Sequence, residues 1–243
     1  YVQRRAFSEY SCDGETFQAP SCPFRLLETP PCCGGDAAKL GADNPSWKTQ
    51  SLSTKNAPDV THCDAKGEED SNIPQAPLEG LTIIDLSMGW AGPLATRNLA
   101  DMGATVIKVE SCTRFDWFRS WEASQEWIDN NGAEKEVRFI GLNRNKLDVT
   151  LDFESKEGRD LLLRLIENAD AVIENYSGGV LPKLKLDYPV LKAVNPQLVM
   201  VSMPAFGATG PWAKFRAYGS TVEQSAGLPH LQGSEQQPPT MLH

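Results

Sequence analysis

The chain has 243 residues, 40% of them hydrophobic, enough for the core of one or two domains. Its 32 acidic and 23 basic side chains leave a net charge of −9, which argues against non-specific binding to nucleic acid or an anionic membrane surface. No apolar run approaches the roughly 20 residues of a membrane span, and no signal peptide opens the chain, so a soluble, cytoplasmic or organellar protein is expected.

Six cysteines, Cys12, Cys22, Cys32, Cys33, Cys63 and Cys112, include one adjacent pair and no CxxC, so reduced, incidental thiols and no metal are expected. The chain opens at Tyr1 without methionine and stops at His243 in a Pro-rich loop, as a piece of a longer polypeptide would.

In residues 1–47, Pro20, Pro23, Pro30 and Pro31 exclude helix and predict an extended segment lying over another part of the protein, anchored by Phe24 and Leu26. Residues 48–77 are rich in Ser, Thr, Asn, Asp, Lys and Pro around the cluster KGEED, a composition that builds no core and predicts a flexible linker.

Residues 78–110 organise the rest. An apolar stretch at 82–86 runs into Ser87, Gly89, Gly92 and Pro93, turn residues that end in a proline suited to the first turn of a helix. A helix with Leu94, Leu99 and Met102 on one face is stopped by Gly103, and residues 104–109 resume an apolar strand. This is a βαβ unit. Strands apolar on both faces belong to a parallel sheet covered by helices, and such sheets bind ligands beyond the carboxyl ends of their strands.

Residues 112–136, with Trp117, Phe118, Trp121 and Trp127, read as an irregular excursion, either a lid or a loop docked on the domain. Residues 137–142 and 147–151 read as strand-like pieces around the turn Asn143, Arg144, Asn145. Ser155 then caps a helix carrying Leu161, Leu162, Leu165 and Ile166. A buried strand at 171–173 ends in a second glycine loop, Asn175 to Gly179, and a strand at 197–203 ends in a third, containing Gly207 and Gly210. If the sheet is parallel, the three loops share one rim. A last helix, from Ser220 to Ala226, includes Val222 and Gln224.

Most familiar chemistries do not fit this rim. Glu110 stands where the ribose-binding acid of a dinucleotide fold would stand, but Gly89 and Gly92 give only GxxG, and a Walker loop and GxSxG are both absent. Asp85 and Glu110 therefore read better as strand-end residues tied to backbone or cations. Of the histidines, His62 lies in the linker, His243 ends the chain, and His230 reads as a loop residue rather than a base. Arg144 and Lys146 fit two readings, a phosphate clamp or structural ion pairs.

Three blocks then carry a resemblance: LEGLTIIDLSMGWAGPLATRNLADMGATVIKVE, GLNRNKLDVTLDFESKEGRDLLLRLIENADAVIENYSGGVL and NPQLVMVSMPAFGATGPW. In order and spacing they resemble the amino-terminal half of family III CoA-transferases, the CaiB/BaiF family, over residues 78–243. The resemblance implies an α/β fold, the Rossmann-like large domain with a parallel sheet flanked by helices and without the second, small domain. It implies coenzyme A at the strand-end rim, and transfer of CoA from an acyl-CoA thioester to a small free carboxylic acid. It places CoA contacts on Met88, Gly89, Trp90, Ala91, Asn175, Tyr176, Lys183 and Arg216, and Ser111 replaces an arginine found in relatives.

In that family an aspartate, normally in a Gly-Asp pair, attacks the thioester, giving a mixed anhydride and then an enzyme-CoA thioester. Here the matching loop, Gln236 to Pro239, is followed only by residues up to His243, so the nucleophile is expected beyond residue 243 and the 243-residue piece is expected to be inactive. Two alternatives share the fold: an acyl-CoA racemase, whose catalytic histidine would fall near Tyr218, and a non-catalytic CoA-binding repeat. Residues 1–47 resemble the carboxyl-terminal end of the same family, which implies a tandem protein with two units joined by residues 48–77. Such enzymes form interlocked dimers, and a tandem chain implies an intramolecular equivalent.

Overall fold

The computed structural model describes residues 7–22, 31–36, 76–111, 113–120 and 124–232, together with residues 39, 42, 122 and 236. Phe24, Leu26, Trp121, the linker segment at 48–75 and the loop at 237–239 lie outside the described residues.

The first element is a hairpin. Strand β1 (Phe7–Cys12) pairs antiparallel with β2 (Glu15–Pro20). The two are joined by Asp13 and Gly14, both at positive φ (51° and 84°), the backbone a two-residue Asp-Gly hairpin demands. The hairpin replaces the expected extended segment, because the Asp-Gly pair reverses the chain ahead of the prolines. A two-residue strand, β3 (Gly35–Asp36), runs parallel to β1. Tyr10 and Ala19 are buried, and Tyr10 stacks on Phe17 with centroids 5.8 Å apart. Cys32 is disulfide-bonded, against the expectation of reduced thiols, whereas Cys12 and Cys33 are free.

The second body is a five-stranded parallel sheet of β4 (Thr82–Asp85), β5 (Thr105–Glu110), β6 (Lys146–Thr150), β7 (Ala171–Glu174) and β8 (Val199–Ser202), in the spatial order β6-β5-β4-β7-β8. The chain moves outward from β4 to β6 and then returns across β4 to β7, so the order reverses between β4 and β7. Ligand crevices open at such a switch point.

Helices cover both faces, which is why the central strands are apolar at successive positions. On one side α1 (Ala91–Asp101) packs Ala100 against Ile83, Val106 and Ile173. On the other, Leu162 and Ile166 of α5 (Lys156–Ile166), Leu181 of α6 (Val180–Leu184) and Leu191 of α7 (Tyr188–Val194) pack against Ile84, Leu86 and Val172. Leu162 and Ile166 are fully buried, each contributing about 1.5–3 kcal/mol. Helix α5 starts where expected, with the Ser155 hydroxyl accepting from Gly158 N at 3.0 Å.

Three expectations are corrected. Residues 137–142 are helical, not strand: α4 (Val137–Asn143) buries Phe139 and Leu142, a spacing of three that overrides the β-branched and aromatic composition. The excursion at 112–136 is not irregular, because it holds a 3-10 turn (Trp117–Ser120), α2 (Gln125–Asp129) and α3 (Gly132–Lys135). Helix α1 does not bury Leu94, Leu99 and Met102 deepest. Its buried stripe is Gly92, Pro93, Thr96, Arg97, Ala100 and Asp101, half of it polar and none of it large and apolar, and therefore invisible to a search for apolar periodicity.

The hairpin segment docks on the α1 side. Asp101 accepts a forked pair of bonds from Arg144, the shorter 2.6 Å, and Arg144 also donates to Pro20 O and lies over the Tyr10 ring. Cys32 N donates to Asp101 O at 3.1 Å, and Asn145 Nδ2 donates to Cys32 O at 2.8 Å. Arg144 is thus a structural residue and not a phosphate clamp. Among the described residues no helix is long and apolar enough to cross a membrane.

Candidate functional site

The turn after β4 is built by buried charge. Asp85, fully buried, accepts from Ser87 N at 2.9 Å, from the Ser87 hydroxyl, from Thr96 Oγ1 at 2.6 Å and from Lys146 Nζ at 2.9 Å. Burial alone raises a carboxyl's pKa; here the Lys146 and Lys108 charges and the two hydroxyls outweigh it and hold Asp85 below the usual carboxylate range. Burial also pulls Lys146 down to about 8 against the opposing pull of Asp85. Lys146 donates in addition to Pro93 O and to Asn143 Oδ1, so it too is structural rather than a phosphate ligand.

A second buried pair grips the turn from β5. Lys108 Nζ donates to Ser87 O at 2.8 Å and meets Asp116 at 3.2 Å. The Asp116 carboxylate accepts from Gly89 N at 3.0 and 3.1 Å and from Phe118 N at 3.0 Å. Just beyond β7, Asn175 binds both backbone groups of Met88, accepting from its N–H at 2.8 Å and donating to its carbonyl at 2.7 Å.

Both glycines of the turn are needed. Gly89 sits at φ +75° with the Trp117 ring 2.1 Å from where a Cβ would lie, and a Cβ on Gly92 would lie 2.2 Å from Ser87 Cβ.

Beyond the turn, α1 presents an open end. Trp90 stands at its N-cap without a side-chain capping bond, no acidic residue lies in the first turn, and Trp90 is 59% exposed. Backbone N–H groups at such an end attract anionic oxygens.

The three glycine-bearing loops meet, as a parallel sheet requires. Asn175 joins the second to the first, a Cβ on Gly178 would lie 2.7 Å from Ala213 O just after the third, and Tyr218 packs edge-on against Trp117 at 5.7 Å. The excursion after β5 is docked on the first turn, through Asp116 and Trp117.

Of the residues singled out from the sequence, Met88, Gly89 and Asn175 are joined directly, and Trp90 and Ala91 follow at the exposed start of α1. Tyr176 lies beside Asn175 with its N–H bonded to Glu174, and burial, then the Glu174 charge, push its phenol upward. Lys183 on α6 and Arg216 in the loop before α8 (Gly219–Ser225) are exposed, and among the described residues no hydrogen bond or ion pair ties either to the turn. Glu110 accepts from Asp116 N at 2.7 Å and Arg119 Nε at 2.8 Å, which fits the strand-end reading.

Sequence reasoning missed Lys108, Asp116 and Thr96. A lysine inside the apolar strand TVIKVE was a signal; Asp116, in a stretch without periodicity, gave none.

Comparison with known proteins adds the following. The profile of CoA-transferase family III matches residues 78–243. An acyl-CoA transferase of Fusarium pseudograminearum is 40% identical over 168 residues, covering 68% of this chain and 37% of the relative. A succinate–glutarate CoA-transferase of Agrobacterium fabrum is 38% identical, covering 65% of this chain and 39% of the relative. The crystal structure of a CaiB/BaiF family protein from Brucella suis superposes with a TM-score of 0.60 at 38% identity, covering 70% of this chain and 44% of that one. The chain therefore spans well under half the length of these relatives.

Proposed function

The chain belongs to CoA-transferase family III, and from that membership we propose that it supplies the CoA-binding rim of an enzyme that moves CoA from an acyl-CoA thioester to a small carboxylic acid. The observation that carries this reading is the junction of Met88 and Asn175 across the β4–β7 switch point, beside the uncapped start of α1. Met88, Gly89, Trp90, Ala91, Asn175 and Tyr176 line the rim, the α1 N–H groups receive phosphate oxygens, and Lys183 and Arg216 add charge from its margin.

Among the described residues the turn offers scaffolding rather than a nucleophile. Asp85 and Asp116, the buried carboxylates of the turn, are saturated by donors and paired with Lys146 and Lys108, so neither is free to attack a thioester. An aspartate beyond residue 243 fills that role. Its carboxylate attacks the thioester carbonyl, releasing CoA thiolate and leaving an acyl-aspartyl anhydride. The thiolate then attacks the aspartyl carbonyl, expelling the donor acid and leaving an aspartyl-CoA thioester, from which the acceptor acid takes CoA by the reverse steps.

The docking of residues 7–22 and 31–36 on the α1 side supports a tandem protein in which they close an upstream unit. Reading the coding sequence upstream of Tyr1 for a second aspartate-bearing unit tests the idea.

Calorimetric titration tests the rim. The 243-residue chain is expected to bind CoA and to show negligible transfer from acyl-CoA to free acid. No binding would remove the rim reading; turnover would overturn the placement of the nucleophile.

A further inference from the structure

Lys108 and Asp116 are almost completely buried, at 1% and 0% exposure. An ion pair this deep is a poor stabiliser, because the desolvation of two charges about cancels their attraction, and an apolar pair of the same volume does as well. The placement of the remaining bonds is more informative. Lys108 takes the carbonyl of Ser87 and Asp116 takes the N–H of Gly89, one residue to either side of the Met88 that Asn175 holds. The carboxylate is itself fixed by Phe118 N, and Glu110 accepts from Asp116's own N–H. The pair thus closes a cage around Ser87, Met88 and Gly89 that leaves Trp90 and Ala91 as the first residues of the turn facing solvent.

We propose that Lys108 and Asp116 are positioning residues for CoA binding: they touch no part of the ligand and hold the turn in the one shape that presents Trp90, Ala91 and the start of α1 to it. This inference rests on the rim reading above. A turn containing Gly89 is otherwise free to sample more backbone states, and ordering it at the moment of binding weakens affinity about tenfold or more.

The test compares stability with affinity in variants of the 243-residue chain, titrated with CoA. The double variant Lys108→Met, Asp116→Leu removes both charges together but leaves Ser87 O, Gly89 N and Phe118 N without their partners, so its denaturant midpoint falls, and the Kd of the folded protein for CoA rises about tenfold. Asp116→Asn separates the two quantities. It strands the Lys108 charge and lowers the midpoint, but its amide oxygen still accepts from Gly89, so the folded protein keeps a Kd within about threefold of the parent. A purely structural role would make affinity follow stability.

A folded double variant that binds CoA as the parent does overturns the proposal, as does an Asn variant that loses affinity as the double variant does. If the double variant does not fold, Asp116→Ala set against Asp116→Asn reads the same quantity. Both lose the ion pair and only alanine loses the acceptor, so a Kd ratio of about tenfold supports the proposal and a ratio near one overturns it. A parent chain that binds no CoA removes the rim reading first, before any variant is made.

Discussion

The turn that follows β4 and the loop that follows β8 look alike as sequences, each an apolar strand running into glycine and proline, and the protein has built them in opposite ways. In the first, Asp85, Lys108, Asp116 and Asn175 take the backbone groups of Ser87, Met88 and Gly89, and those anchoring side chains come from β4, β5 and the segments that follow β5 and β7. In the second, residues 207–212 are exposed, and Gly207 has only Thr209 O, at 3.9 Å, near the place a Cβ would take. Strand position is the cause. Strand β4 lies at the centre of the sheet with neighbours on both sides, whereas β8 is an edge strand whose Val199 and Val201 remain 57% and 41% exposed. A rim is therefore rigid where the sheet is deepest, and that is where a ligand's shape can be recognised.

The largest expected break in this contrast comes from Asp85→Ala. It leaves the Lys146 charge unpaired in a site 1% exposed and takes the acceptor from the buried Ser87 N–H, so a loss of about 3–5 kcal/mol is expected in denaturant titrations. Thr209→Ala in the β8 loop should stay within about 0.5 kcal/mol.

Glycine replacements sharpen the comparison at intermediate size. Gly89 and Gly207 both have positive φ, +75° and +82°, so alanine costs about 1–2 kcal/mol at either. Only Gly89→Ala must also displace Trp117. It should cost more than Gly207→Ala and change the tryptophan emission, and equal costs with unchanged emission would contradict the close packing.

A smaller effect is expected from the carboxylates behind the first turn. Burial, and a proton shared with Glu110, push Asp148 up to about 7 from an ordinary value of 3.8, while Glu110 is held low. The folded protein then binds more protons than the unfolded chain between pH 4 and 7, so this group makes stability fall as pH rises through that window. Asp148→Asn should flatten the slope, with its advantage over the parent growing up to pH 7 and levelling off above. Asp148 keeps 36% side-chain exposure, so the effect is set by solvent screening as well as by burial. Denaturant midpoints across the pH range check it.

The parallel sheet was legible because β4, β5 and β7 are short and apolar on both faces and β4 and β7 run into glycine, and the Ser155 cap gave the start of α5 directly. The site was legible only in part. Gly89, Gly92 and Asn175 announce a turn, but the groups that hold it act through charge pairs between distant segments, such as Lys108 with Asp116 and Asp85 with Lys146, and no local periodicity encodes those. The same reason explains the misread face of α1, where a polar stripe is buried because Thr96 and Asp101 find partners at 85 and 144. Helix α4 was misread because its short sequence, VRFIGLN, favours strand until Phe139 and Leu142 find a shared pocket with Phe118.

A crystal structure of this chain with CoA tests the central claim most directly. The account predicts CoA lying along the β4–β7 rim, in contact with Trp90, Ala91 and Asn175 and with the turn unmoved. CoA seated on the β8 edge or against the hairpin, with Trp90 and Asn175 clear of it, would contradict the account.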